Sequence, residues 1–231
     1  MSQLKIKQEI RQAVESNDHG RIISLVQQNR SALSPLIRMA YDKETLEGWR
    51  AIKAIGHVAK SLVGVDDEFL RLTIRKLLWS LSDESGGIGW SAPEILGEIV
   101  SADPGKLSDI IPLIAGVYDI EEDVFRAGVV YALARIAEIA PERVANQQKI
   151  IILSLIDTDP LVRINGLELV RRLWSSATEN NLWTKEYIQK LRNVVENMKK
   201  DKGVAWKFYE DGFICIEVGE LAIIIGDSVM A

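Results

Sequence analysis

The sequence predicts an all-α protein, a right-handed α-solenoid of about five helix pairs closed at its C terminus by a β-hairpin and a short helix. Three observations predict it. Up to about residue 200, leucine, isoleucine, valine and alanine recur at i, i+3, i+4 and i+7, the period of a helix with one buried stripe. The same apolar ladder returns along the chain at a nearly constant spacing, as it does when one structural unit is stacked repeatedly. Beyond residue 203 the pattern changes to aromatic and β-branched residues around Asp211-Gly212, a short hairpin signal.

The helices are bounded by turn chemistry. Breaks fall at AYDKET near 42, LSDESGGIG at 81 to 89, SADPGK at 101 to 106, YDIEED at 118 to 123, IDTDP at 156 to 160 and SSATENN at 175 to 181. Helices of roughly 10 to 18 residues fit between them. Counting from Arg126 as zero, Val129, Val130, Leu133 and Ile136 occupy plus 3, 4, 7 and 10. Arg163 starts the same ladder with Gly166, Leu167, Val170 and Leu173; Gly48 starts it with Ala51, Ile52, Ile55 and Val58; Gly89 with Ala92, Pro93, Leu96 and Ile99. The origins are 41, 37 and 37 residues apart, and each ladder is preceded by a second apolar-periodic helix. Each ladder is therefore expected to be an inner helix with plus 3, 4, 7 and 10 buried.

The division that follows is a helical array over 1–203 and a cap over 204–231. With Asp211-Gly212 as a type I′ turn, Tyr209 faces Ile214, Phe208 faces Cys215 and Trp206 faces Glu217, and a short helix from about Gly219 to Ile225 follows. A terminal unit of different design suits an array whose last apolar face needs covering.

Composition narrows the function. The chain has 231 residues and 47% hydrophobic content, enough for a sizeable core. Its 28 Lys and Arg against 33 Asp and Glu give a net charge of -5, which argues against a general nucleic-acid binder. A single cysteine, Cys215, excludes an internal disulfide, and two histidines, His19 and His57, are too isolated to be read as ligands or bases. The opening MSQLKIKQEIRQAVES lacks the apolar core of a signal peptide, and no apolar run approaches a membrane span. These readings point to a soluble cytoplasmic protein without cofactor or metal.

The stretches EDVFRAGVVYALARIAEIA and DPLVRINGLELVRRL, each an acidic turn, Val-Phe-Arg or Val-Arg, then small and aliphatic residues, resemble HEAT repeats, in particular the short class named from the phycobilisome lyases. The resemblance covers about residues 31 to 175 and lacks the arginine at Gly48 and Gly89. It implies a scaffold or adaptor, with an accessory bilin-lyase-like enzyme or chaperone as the alternative. A second likeness, to the HEAT-like alkylpurine DNA glycosylases, rests on Trp79, Asp83, Arg126, Arg163, Trp174 and Trp183. The competing structural reading of that set is core tryptophans, a helix-end aspartate and arginines that pair with turn carboxylates to tie adjacent repeats together.

The working surface is expected where the ladders are polar. Plus 5 gives Lys53, Glu94, Tyr131 and Glu168, and plus 9 gives His57, Glu98, Arg135 and Arg172, a concave face of mixed sign suited to a protein or peptide partner. Plus 1 gives Trp49 and Trp90 beside the Gly-rich segment, whose acidic residues are Asp83 and Glu84. An aromatic patch there competes with a capping role, in which Ser91 and Glu94 form a capping box and Trp90 staples Ile95. No nucleic acid and no membrane is expected as partner, and no catalytic set of nucleophile, base and orienting group is visible.

Overall fold

The computed structural model describes residues 3–81, 90–119 and 123–230. Asp83, Glu84 and the origin at Gly89 lie outside the described residues. Among those residues the chain forms twelve α-helices and one two-stranded hairpin, and it divides into two compact units, Met1–Asp103 and Pro104–Ala231. No described helix is long and apolar enough to cross a membrane.

The first unit holds α1 (Gln3–Glu15), α2 (His19–Gln28), α3 (Leu33–Ala40), α4 (Leu46–Leu62), α5 (Asp67–Ser80) and α6 (Ala92–Ala102). Their starts are written locally: Asp18, Thr45 and Asp66 accept the N–H groups of Arg21, Gly48 and Phe69, satisfying donors that a helix start leaves open. The end of α1 is set by Asn17, whose left-handed φ of 52° turns the chain into α2. The second helices of the pairs, α2, α4 and α6, pack in order, and α1 packs on α3. That gives two helical layers with the apolar stripes between them.

The second unit holds α7 (Ile111–Gly116), α8 (Arg126–Ala137), α9 (Gln148–Leu155), α10 (Pro160–Glu179), α11 (Lys185–Met198), β1 (Val204–Tyr209), β2 (Gly212–Glu217) and α12 (Val218–Ser228). Helix α8 packs on α10 and α10 on α12, while α9 packs on α11. So α12 occupies the place of a further second helix, and α11 with α12 forms another pair with the hairpin inserted between its members. The backbone fixes this join, with Val218 and Gly219 donating to the carbonyls of Gly203 and Asp201 at 2.9 Å each.

The apolar register is the one expected. In all four ladders plus 3, 4, 7 and 10 are buried, from Ala51 and Val58 in α4 to Leu167 and Leu173 in α10. Where α10 crosses α9 the backbones come so close that a Cβ on Gly166 would lie 2.6 Å from Ser154 Oγ. In the second unit the pairs are also pinned by polar bonds reaching one repeat along the chain. Asn165 Nδ2 donates to Ala127 O at 2.9 Å, Arg172 to Ala134 O at 3.0 Å, and Trp183 Nε1 to Ala145 O at 2.8 Å, each across 38 residues.

The hairpin register differs from the expected one. Tyr209 pairs with Gly212, Phe208 with Phe213, Lys207 with Ile214 and Trp206 with Cys215. The turn is therefore centred on Glu210-Asp211. Only Glu210 is left-handed, with φ 55°, whereas a type I′ turn needs positive φ at both central residues. Moving the turn by one residue moves each cross-strand partner by two, which puts Phe208 opposite Phe213, with ring centroids 5.9 Å apart in an edge contact, and buries Phe208. Cross-strand aromatic pairing decides the register over the turn preference of Asp-Gly.

Two outcomes test these assignments. Leu133→Ala, at a fully buried position of α8, is expected to cost about 2 to 5 kcal/mol as a cavity mutation; chemical denaturation measures it, and a loss below about 0.5 kcal/mol contradicts the register. In the hairpin, Glu210→Gly is expected to stabilise by up to about 1 kcal/mol by relieving the left-handed φ. Gly212→Val is expected to be tolerated, because nothing lies within 4 Å of a Cβ added there. Marked destabilisation by Gly212→Val, with none of the gain at 210, restores the turn to Asp211-Gly212.

Candidate functional site

The expected polar rows exist, but their members are largely engaged with one another. In the first unit every residue from Ala92 to Ser101 of α6 is buried, so Glu94 and Glu98 are buried carboxylates rather than a free surface. Each holds a lysine from the α4 side: Lys43 Nζ lies 3.0 Å from Glu94 Oε1, and Lys53 Nζ lies 2.6 Å from Glu98 Oε1. Burial of a carboxylate demands such a cation, because the lost hydration is otherwise uncompensated.

Those pairs correct the capping reading. Ser91 stands at the N-cap of α6 but makes no side-chain cap bond, and its Oγ is buried without a hydrogen-bond partner. Glu94 is drawn to Lys43 instead of back to the start of its own helix. Lys43 also donates to the Trp90 carbonyl at 3.1 Å, which anchors the backbone there and leaves the Trp90 residue 46% exposed, while Ile95 is fully buried. Trp49 is half-buried.

The histidines are not isolated. His19 of α2 and His57 of α4 stack with ring centroids 4.3 Å apart, brought together because α2 packs on α4. Nothing in their sequence spacing shows this contact.

In the second unit the rows form a charge network. Arg135 lies 3.0 Å from Glu138, Arg172 lies 3.5 Å from the same carboxylate, and Arg171 lies 2.6 Å from Glu168. Burial opposes ionisation of Glu168, yet the nearby charges of Lys207, Arg171 and Arg172 hold its carboxyl below the usual range. Tyr131 is half-buried in α8.

The arginines of the Val-Phe-Arg and Val-Arg steps tie repeats together. Arg126 lies 2.8 Å from Asp123 of its own turn and 3.5 Å from Asp157 of the next. Arg163 donates to the carbonyls of Asp157 and Thr158 and lies 2.7 Å from Asp201. Trp174 and Trp183 are buried against each other with centroids 6.1 Å apart. These four residues are structural, as the competing reading has it, but Trp79 is not the core tryptophan that reading expected, since it stands 72% exposed on α5; Asp83 lies outside the described residues.

Between the first helices lies a groove that the apolar ladders of the second helices do not reveal. In the first unit, α3 and α5 border a cavity of about 380 Å³, floored by Leu33, Ile37, Phe69 and Leu77. A second cavity of about 380 Å³ between α1 and α3 shares Ser31, Ser34 and Arg38 with it. Arg30 is held rigidly at the wall: its Nε lies 2.8 Å from Asp66, and its guanidinium lies 5.8 Å from the Phe69 ring. That hydrogen bond from Arg30 keeps the Asp66 carboxyl below its ordinary value. Burial raises the Tyr41 phenol on the same wall, against a hydrogen bond with Ser80. Lys76, which lines the cavity, shares a face of α5 with Leu72 and Trp79, the three standing at i+4, i and i+7, with Leu72 40% and Trp79 72% exposed. The available signal was this stripe, which places a tryptophan and a leucine outside the buried set of α5.

The Lys43–Glu94 pair has a testable cost. Lys43→Met leaves the Glu94 carboxylate buried without its cation and is expected to destabilise by about 3 kcal/mol. Adding Glu94→Gln is expected to recover most of that loss. Equal losses in the single and double variants, measured by denaturant unfolding, contradict a buried pair.

No protein-family model matches the chain, and no curated protein matches it. Two solved structures are similar to it. One is the crystal structure of an archaeal HEAT-like repeats protein from Thermococcus onnurineus NA1, at 15% identity over 97% of this chain and 98% of that one, with a TM-score of 0.40. The other is a crystal structure of computationally designed armadillo repeat proteins for modular peptide recognition, at 19% identity over 96% of this chain and 92% of that one, with a TM-score of 0.45.

Proposed function

We propose that this chain is a non-catalytic protein-interaction module, a scaffold or adaptor, and that it takes a peptide segment of its partner along the α3–α5 groove of its first unit. The observation that carries the reading is the groove itself, an apolar floor of Leu33, Ile37, Phe69 and Leu77 open to solvent, with Leu72 and Trp79 exposed on the same helix α5. Large apolar side chains left outside a helical stripe are costly in water, and they serve as anchors when a partner desolvates them. The two helices that form the walls are held by the packing of α3 and α5 on α4, so the groove needs little rearrangement to accept a ligand.

A second reading places the partner on the α4–α6 side, at Trp49 and Trp90. The exposure of Trp90, with its carbonyl fixed by Lys43, favours an aromatic anchor there. The glycosylase-like reading draws no support from Arg126, Arg163, Trp174 and Trp183, which are occupied in pairing and packing.

The test is affinity purification with crosslinking from the source cells, quantified for substituted chains. Leu72→Ala with Trp79→Ala is expected to shift the melting temperature by less than about 2 °C, because both side chains are exposed. Capture of the partner is expected to fall about thirtyfold, the equivalent of about 2 kcal/mol at an aromatic anchor. Full capture by that variant, with loss in Trp49→Ala or Trp90→Ala at unchanged melting, moves the site to the α4–α6 side.

A further inference from the structure

We infer that the α1–α3–α5 groove selects an acidic peptide segment, one that sets a leucine or aromatic side chain on the apolar floor and carboxylates against the rim. The inference rests on the reading of this groove as a peptide-docking site and names the chemistry of what docks. The rim is cationic although the chain as a whole is not. Lys7, Arg30, Arg38 and Lys76 line the two connected cavities, and no Asp or Glu does. Arg30 is neutralised by Asp66 at 2.8 Å. Among the described residues, Lys7, Arg38 and Lys76 have no carboxylate partner, and all three are exposed.

The helices behind the rim carry the same bias. On α3 the charged residue is Arg38, and on α5 the acidic first turn of Asp67 and Glu68 is followed by Arg71, Arg75 and Lys76, so beyond that turn both helices are basic. This contrasts with a whole chain at -5, in which most buried or half-buried cations described above are matched. Unmatched like charges gathered around an apolar slot repel one another, and a ligand of opposite sign relieves that repulsion while gaining in association rate.

Size and polarity distinguish the ligand. Adjacent helices lie about 8 to 10 Å apart, so a groove crossing two interhelical spaces extends on the order of 20 Å, about six residues of extended chain. A nucleic-acid strand matches the rim charge but leaves the floor of Leu33, Ile37 and Leu77 against sugar and phosphate. A basic segment meets only like charge. A short acidic peptide with an apolar anchor satisfies both the floor and the rim.

The experiment is selection of a displayed library of random octapeptides on the full-length chain, with recovered peptides measured by fluorescence anisotropy. The expected result is enrichment of sequences with two or more Asp or Glu beside an apolar residue. Their affinity is expected to fall about tenfold or more in Arg38→Glu with Lys76→Glu, and comparably between 50 and 300 mM salt on the unaltered chain. Circular dichroism melting of the double variant checks that it folds, and the salt series decides the matter if it does not. Peptides that bind without acidic enrichment, or that bind both chains equally and ignore salt, overturn the acidic selectivity and leave the docking site standing. An eight-nucleotide single-stranded DNA bound as tightly as the best peptide assigns the groove to polyanions in general and overturns the inference. Recovery of no peptide overturns this inference and the docking site together.

Discussion

A pair of short helices carries more apolar surface than its two members can hide from each other, and every other feature of this protein follows from the need to cover the remainder. The second helices show the constraint most clearly. In α4, α8 and α10 the positions at plus 3, 4, 7 and 10 are buried, and α6 is buried on all sides from Ala92 to Ser101. Such helices gain stability only when a neighbouring pair supplies the other half of the core. Small residues permit the approach: Gly166 has no room for a Cβ beside Ser154, and Gly56 has none beside Glu98. Dispersion between closely approaching backbones then adds to the removal of apolar area from water.

Burial on that scale changes what polar residues do. A residue type that sequence spacing assigns to a polar face becomes a structural fastener once its helix is enclosed. Glu94 and Glu98 hold Lys43 and Lys53, Arg126 joins Asp123 to Asp157, and Arg163 joins the turn at Asp157 to Asp201. Pairs of this kind contribute modestly to net stability, since desolvation offsets much of the Coulomb gain, but they penalise every misaligned stacking of the helices. In the second unit the hydrogen bonds from Asn165, Arg172 and Trp183 to main-chain carbonyls 38 residues earlier act in the same sense. They align one pair on the next with about the spacing of the repeat.

The consequence for function is a division of labour between the two helices of a pair. The second helices spend their side chains on the core and on internal pairing, whereas α3 and α5 border an open slot with unmatched cations at its rim. The C-terminal segment illustrates the same economy in another form. Residues 204 to 217 are not simply laid over the last pair; they are inserted between α11 and α12, and α12 returns to the position of a second helix against α10. Its buried stripe of Val218, Gly219, Ala222 and Ile225 repeats the helical spacing of the earlier ladders.

How much of this was legible in the chain depends on whether the cause is local. The helices, the four apolar ladders and the existence of the hairpin are written in neighbouring residues, because periodic burial acts within a few positions, whereas the one cap read from the sequence, Ser91 with Glu94, is not made. The hairpin register was not legible, because the edge contact of Phe208 with Phe213 outweighs the preference of Asp211-Gly212 for a particular turn. Nor was the stacking of His19 on His57, the capture of Glu94 by Lys43, or the groove between α1, α3 and α5. The sequence by itself determined which residues must leave water and at what period. Only the tertiary structure decided which distant charges meet and which remain at the surface, because the pairs Arg30–Asp66, Lys53–Glu98 and Lys43–Glu94 join positions 36 to 51 residues apart, whose distance depends on how one helix pair settles on another.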